Sequence, residues 1–159
     1  MNNIYLSKQL RQLIDSQPRV WRPLVFTNGC FDLLHVGHIR YLQAARLLGQ
    51  KLIVGINSDS SVGKIKPNKG RPIVPEEQRL EVLAALGCVD GVVLFEENTA
   101  ANLIEILQPD IYVKGGDYNL ETLPEAPFVM SYGGKIELVN IEIPTSTSKI
   151  IEKIRSTCL

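Results

Sequence analysis

Two hydrophobic periods alternate along this chain. Short, almost wholly apolar runs occur at Leu24-Val-Phe26, Leu52-Ile-Val54, Val89 to Phe95, Ile111-Tyr-Val113 and Ile136 to Val139. Between them, apolar residues recur at helical spacing: Ile39, Leu42, Ala45 and Leu48; Leu80, Leu83 and Leu86; Leu103, Ile104, Ile106 and Leu107; Ile150, Ile151 and Ile154. A short unbroken apolar run bounded by turn residues reads as a strand covered on both faces, and the three-to-four spacing reads as a helix with one buried face. The pattern predicts strands at 23–28, 51–57, 89–95, 110–114 and 135–139. It predicts helices at 36–48 (stopped by Gly49), from Pro75 to near Gly87, from Asn98 onward, and after Thr145. Ahead of these, Ile4, Leu6, Leu10, Leu13 and Ile14 predict a peripheral helix over 4–16, capped by Ser7, and a Pro-containing connector follows. Residues 118–134 read as loop with room for one short helix.

Strands alternating with helices in this way predict an α/β fold, a single parallel five-stranded sheet with helices on both faces. Residues 1–22 are expected to form an N-terminal helix and connector, and 23–159 the domain proper. Right-handed crossovers place all strand C-terminal ends along one edge, and a ligand crevice lies there, where the strand order reverses. Nearly every unusual polar cluster follows a strand. Asn28 to His38 follows the first, a basic loop with Lys64, Lys66, Lys69 and Arg71 the second, Lys114-Gly-Gly-Asp117 the fourth, and Thr145-Ser-Thr-Ser148 the fifth. One composite site at the sheet edge is therefore expected.

The cluster after the first strand is the most informative. Asn28-Gly29 is a turn dipeptide, and His35-Val-Gly-His38, which holds both histidines of the chain, opens a helix. Histidines three apart share a helix face, Gly37 removes a side chain where a ligand could approach the backbone, and a helix start favours anions. Imidazolium groups there could donate hydrogen bonds to phosphate oxygens and to charge developing in a transition state. Two structural histidines, or half a zinc site with Asp32, are the competing readings, but zinc needs further ligands. Cys30 with His35 as base would be a nucleophile pair, yet nothing orients a third member, and a lone cysteine in a turn is more often a small buried residue. The basic loop could be a solvated face or could close over a polyphosphate, with Lys66 and Arg71 preferred over Lys64 and Lys69. Gly115-Gly116-Asp117 and Thr145 to Ser148 read equally as a turn and a helix cap, or as groups set against a nucleotide and its phosphates.

Composition narrows this little. Lys and Arg together number 17 and Asp and Glu 17, so attraction for an anion must be local, and nothing global points to nucleic acid or an anionic membrane. No apolar run approaches the roughly 18–20 residues of a spanning helix. The first residues lack a signal-peptide pattern, and three widely spaced cysteines without C-x-x-C suit a reducing compartment, so a cytoplasmic location is expected. There is no Walker G-x-x-x-x-G-K-[ST] and no G-x-G-x-x-G after the first strand, which disfavours P-loop and dinucleotide enzymes.

The run Thr27-Asn-Gly-Cys-Phe-Asp-Leu-Leu-His-Val-Gly-His38 resembles the H-x-G-H signature of the cytidylyltransferase-like nucleotidyltransferases, which have a Rossmann-like fold. Val113-Lys-Gly-Gly-Asp-Tyr118, Gly70-Arg-Pro-Ile-Val-Pro-Glu-Glu-Gln-Arg79 and Asn57-Ser-Asp59 are most similar to the heptose 1-phosphate adenylyltransferase branch, the C-terminal half of the bifunctional heptose kinase/adenylyltransferase. The resemblance covers about Val25 to Ile154. It implies transfer of AMP from ATP to a sugar 1-phosphate, with Mg2+ carried on the nucleotide phosphates rather than on side chains, and release of pyrophosphate. The run Ile141-Glu-Ile-Pro-Thr-Ser-Thr-Ser148 lacks the arginine and glycine that the cytidylyltransferase branch carries there, which counts against CTP. A CTP-dependent enzyme for glycerol or ethanolamine phosphate, and a non-catalytic nucleotide-binding module, are the alternatives.

By the same resemblance, His35, His38 and Lys66 are catalytic. Thr27, Asn28, Gly29, Cys30, Phe31, Gly37, Lys114, Gly115, Gly116, Asp117, Thr145, Ser146, Thr147 and Ser148 hold the nucleotide and its phosphates. Asp32, Arg71 and Arg79 face the substrate. The implied partners are small molecules, and a homodimer is left open.

Overall fold

The computed structural model describes residues 3–67, 70–116, 118–141 and 145–158. Six strands form one fully parallel sheet: β1 (Ile4–Tyr5), β2 (Leu24–Gly29), β3 (Lys51–Asn57), β4 (Gly91–Phe95), β5 (Ile111–Gly115) and β6 (Lys135–Val139). Their spatial order is β1-β4-β3-β2-β5-β6. The helices are α1 (Ser7–Ser16), α2 (Pro18–Trp21), α3 (Val36–Arg46), α4 (Asp59–Ile65), α5 (Glu76–Ala84), α6 (Ala101–Leu107), α7 (Ala126–Ser131) and α8 (Thr147–Cys158).

The sheet has six strands rather than the expected five. The sixth, β1, lies inside the stretch read as a helix from residue 4. Ile4 and Tyr5 pair with Val92 and Val93 on the sheet edge, and α1 begins only at Ser7. Apolar residues at 4, 6, 10, 13 and 14 satisfy a helical period, and two residues are too few to show a strand period against it. Leu6 occupies the N-cap position and no side chain caps the helix, so Ser7 does not act as the expected cap. A second difference is α4. The sequence after β3 reads as loop, but Ser58 accepts a hydrogen bond from the Ser61 N–H at 3.2 Å and starts a helix there. Its polar composition hid it, since only one turn or so of apolar face, around Val62, is buried.

Side chains alternate across each strand, so the sheet carries two cores. On one face Leu24, Phe26, Ile53, Val93 and Tyr112 pack with Leu10 and Ile14 of α1, Leu103, Ile104 and Leu107 of α6, and Val129 of α7. On the other, Val25, Leu52, Val54, Ile56, Val92 and Val113 pack with Leu42 and Ala45 of α3 and Leu83 of α5. These are the α1/α6/α7 face and the α3/α5 face. β2 pairs with β3 on one side, which leads on to β4, and with β5 on the other, which leads on to β6. The order therefore reverses beside β2, and the C-terminal ends of β2 and β5 open a crevice.

Leu10 is fully buried among α6 and sheet residues on the α1/α6/α7 face. Replacing it by alanine is expected to cost about 2–5 kcal/mol, as for other buried Leu→Ala changes. Urea denaturation of Leu10→Ala against the parent measures it; a loss below about 0.5 kcal/mol would show that α1 is not part of the core.

Candidate active site

A cleft of about 780 Å³ lies along the C-terminal ends of the strands. Its α3/α5-face lobe is built on the β2–α3 connection. β2 ends at Gly29, the chain turns through Cys30 and Phe31, and α3 starts after His35. Phe31 has φ 46°, the left-handed region that non-glycine residues seldom occupy, and its ring is buried beside that of His38, with centroids 5.5 Å apart. Strain of this kind persists only where the surroundings hold it, and here they do. Arg79, whose side chain is fully buried, donates to the Cys30 carbonyl at 2.5 Å, to the Val74 carbonyl at 3.0 Å and to Asp59 Oδ1 at 2.6 Å. Arg79 thus holds the turn from behind. It does not line the cleft, which corrects the expectation that it faces the triphosphate or substrate.

Arg71 and Asp32 do line the cleft, but each is engaged with the other. Asp32 accepts from the Arg71 guanidinium and from the N–H groups of Ile73 at 2.9 Å and Val74 at 2.8 Å. Burial alone raises the Asp32 carboxyl, but the two backbone donors and Arg71 outweigh it and hold the group below its ordinary range. The pair pins the segment after the basic loop against the β2–α3 turn.

The two histidines form a reciprocal cap. His35 is the N-cap of α3; its Nδ1 accepts from the Gly37 N–H at 3.1 Å, and His38 Nδ1 accepts from the His35 N–H at 3.4 Å. The rings lie 4.0 Å apart. An Nδ1 that accepts a hydrogen bond carries no proton, so in the neutral ring the proton sits on Nε2. Each histidine therefore offers one Nε2–H, away from the helix backbone, to the cleft it lines. The charged form is disfavoured: burial lowers the pKa of His35, and burial, the neighbouring His35 and Lys66 lower that of His38 to about 4. The imidazolium pair expected from sequence is, in the free protein at neutral pH, a pair of neutral donors.

Other expected residues fall as follows. Asn28, Gly29, Cys30, Phe31, Gly37, Lys66, Lys114, Gly115, Gly116, Thr145, Ser146 and Thr147 line the cleft. Ser148 is exposed on α8 and does not, and Thr27 is fully buried. Thr27 exchanges a hydrogen bond of 2.6 Å with the Tyr41 hydroxyl, which also donates to the Val113 carbonyl at 3.0 Å. That bridge ties α3 to both strands at the reversal. Tyr41 also explains Gly115, where a Cβ would meet its ring at 3.0 Å, while Gly116 has φ +92° and faces open space. Asp117 and Lys69 lie outside the described residues, and Lys64 is exposed outside the cleft. Thr147 Oγ1 donates to the Leu33 carbonyl at 3.0 Å, which brings the start of α8 to the site.

Asn57, which opens the Asn57-Ser-Asp59 stretch after the second strand, lines the cleft, and so do several residues that the sequence does not single out: Tyr41, Asn98, Thr99, Leu123, Pro124, Glu125, Val139 and Asn140. Tyr41 carries a usable signal, since it sits one helical turn beyond His38 on the same face. Pro124 and Glu125 carry none; they sit in a stretch that reads as ordinary loop.

Neutral imidazole donors, a helix start, a lysine and a hydroxyl cluster, all at the reversal point of a parallel sheet, define a phosphate-handling nucleotide site on a Rossmann-like fold. The comparisons with known proteins agree. The chain belongs to the cytidylyltransferase-like family, whose sequence model it matches over residues 26–159, and is a nucleotidyltransferase. It is 49% identical to "Bifunctional protein HldE" of Syntrophotalea carbinolica over 96% of this chain and 31% of that protein. To the protein of the same name from Citrifermentans bemidjiense it is 54% identical, over 86% of this chain and 28% of that one. The chain thus spans about a third of the length of these relatives. Among solved structures it resembles the lipopolysaccharide core biosynthesis protein from Thermoplasma volcanium, with TM-score 0.62 and 29% identity over 76% of this chain and 97% of that one. The pantoate-beta-alanine ligase of Francisella tularensis shares the fold at TM-score 0.59 and 18% identity over 99% of this chain and 79% of that one.

The depressed His38 has a pH consequence. The unfolded chain takes up that proton near its ordinary 6.5, the folded one only near 4, so the histidine's contribution to stability is complete above 6.5 and is lost as the pH falls toward 4. Ring NMR titration of the free protein should place the His38 midpoint near 4, and added tripolyphosphate should raise it; a midpoint at 6.5 would contradict the burial of the ring beside His35 and Lys66.

Proposed function

We propose that the protein transfers the AMP part of ATP to a sugar 1-phosphate, heptose 1-phosphate foremost, and releases pyrophosphate. The observation that carries this reading is the histidine cap, two neutral Nε2–H donors held at the start of α3 beside Lys66. The acceptor's phosphate oxygen attacks the α-phosphorus of ATP, a P–O bond forms, and the bond from that phosphorus to the β-bridging oxygen breaks. The electron pair leaves on pyrophosphate. Nothing in this needs a covalent enzyme intermediate, so catalysis is positioning and charge stabilisation.

The roles follow from placement. His35 and His38 donate to the non-bridging α-phosphate oxygens, where charge builds during transfer. Lys66 approaches the leaving phosphates from α4, and Ser146 and Thr147 from the start of α8. Gly115, Gly116 and Val139 to Ile141 border the space for the nucleoside. Among the described residues no group of three His, Cys, Asp or Glu side chains comes together to hold a metal, and the cleft's Asp32 is committed to Arg71. In this reading Mg2+ would enter on the nucleotide's phosphates as part of the substrate. The metal supplies further charge neutralisation there. The name of the Thermoplasma protein, a lipopolysaccharide core biosynthesis protein, supports a product used in surface glycan assembly.

Pyrophosphate release from ATP or CTP, with Mg2+ and a panel of sugar phosphates, glycerol phosphate and ethanolamine phosphate, tests the reading. Turnover is expected with ATP and a sugar 1-phosphate; turnover only with CTP and an alcohol phosphate would replace it. His35→Asn retains a good N-cap but has no Nε2–H, so kcat should fall by about 10²–10³ with the fold intact. Cys30→Ser should leave turnover within a few-fold, and its loss would favour a cysteine nucleophile.

A further inference from the structure

The cleft has a second lobe, across the sheet edge from the histidines. Along β2, β3 and β5, the side chains of Asn28, Asn57 and Lys114 share the α1/α6/α7 face with Phe26, Ile53 and Tyr112, by strand alternation. The Tyr112 hydroxyl donates to Asn28 Oδ1 at 2.6 Å, and Lys114 Nζ lies 3.3 Å from that hydroxyl, which fixes this side of the sheet edge. Opposite them the chain before α7 supplies Leu123, Pro124 and Glu125.

Glu125 is the unusual member. It is only 4% exposed, yet among the described residues its carboxylate has one hydrogen bond, from the Ala100 N–H to Oε1 at 3.3 Å. Oε2 has no protein donor, and it is not sealed from solvent, so it opens to the cleft. Asn57 repeats the pattern. It is 3% exposed, its amide donates to Ser61 Oγ at 3.0 Å, and Oδ1 has no donor. Two nearly buried oxygens with unused acceptor capacity offer themselves to the donors of a ligand that displaces water from the cleft. A carboxylate here repels phosphate, so the triphosphate belongs to the histidine lobe, where Lys66 lies. A neutral group bearing several hydroxyls supplies the missing donors, and Leu123 with Pro124 offers an apolar wall for its C–H face.

We propose that this lobe is the acceptor subsite, in which Glu125 and Asn57 receive hydroxyls of a sugar ring and Glu125 sets the preference for a polyhydroxylated acceptor. The assignment rests on the nucleotidyl-transfer reading. Lys114, on the same face as Asn28 and Tyr112 and attracted by the Glu125 carboxylate, is then a cation available to the acceptor's own phosphate. A buried acceptor left empty by a ligand without the matching hydroxyl loses far more than a contact, so such a site rejects deoxygenated or simple alkyl phosphates strongly.

Direct binding decides it without turnover. Calorimetry would compare mannose 1-phosphate, heptose 1-phosphate, methyl phosphate and ethanolamine phosphate on the full chain and on Glu125→Gln, which keeps an oxygen for the Ala100 N–H. The parent should bind the sugar phosphates at least 10-fold more tightly than methyl phosphate. Glu125→Gln should lose most of that preference while its Kd for ATP stays within about two-fold. Glu125→Asp, with its carboxylate withdrawn by one methylene, should fall between them. A preference that survives in Glu125→Gln, a parent that binds sugar phosphates no better than methyl phosphate, or tightest binding of ethanolamine phosphate would each overturn the assignment. Absence of turnover with sugar phosphates despite Glu125-dependent binding would instead sink the catalytic reading alone.

Discussion

Parallel pairing forbids a tight turn between neighbouring strands, so every connection must cross a face of the sheet. With right-handed crossovers, the direction in which the chain steps across the sheet decides which face the helix covers. Steps from β2 to β3 and on to β4 put α3 and α5 on one face; the step back from β4 to β5, and on to β6, puts α6 and α7 on the other. β2 is where the two directions part. Its C-terminal end is therefore flanked by helix α3 on one face and by the chain before α6 and α7 on the other, and both lobes of the cleft follow from that one change of direction.

The polar groups at this edge are fixed by neighbours, of which Arg79 lies behind the cleft while Asp32, Arg71 and Tyr41 are part of its wall. Arg79 satisfies the carbonyl of a strained turn, Asp32 gathers a guanidinium and two backbone N–H groups, and Tyr41 spans two strands. Buried ionic groups stabilise little unless fully paired, and unpaired they are costly. Here pairing is complete enough that the same residues serve as rigid backing. The histidines apply this logic to themselves: using Nδ1 to cap α3 chooses the tautomer and aims the donors.

Much of the fold was legible because buried strands and amphipathic helices leave different periods, and strand 135–139 coincides with β6. What was not legible had physical reasons. β1 is two residues long, stabilised by edge pairing with β4 rather than by its own pattern. α4 is held by a serine cap and buries one short face. At the site, the H-x-G-H segment and Lys66 stand out in the sequence, whereas Gly115 and Gly116 answer equally to the Tyr41 ring and to a positive φ. Arg71 and Arg79 look the same in sequence whether a guanidinium faces a phosphate or a carbonyl, and only burial separates the cases. Glu125 is a carboxylate in a loop until α7 and α6 close around it.

The opposition of the two lobes also bears on stereochemistry. In the proposed arrangement a nucleotide laid over α3 and an acceptor seated on the α6/α7 side would meet at the sheet edge from opposite faces. Such an approach favours attack from behind the departing oxygen, and one displacement of that kind turns the phosphorus centre inside out. With a chirally labelled α-phosphate the product would then carry inverted configuration. A route through Cys30, with two displacements in succession, would restore it.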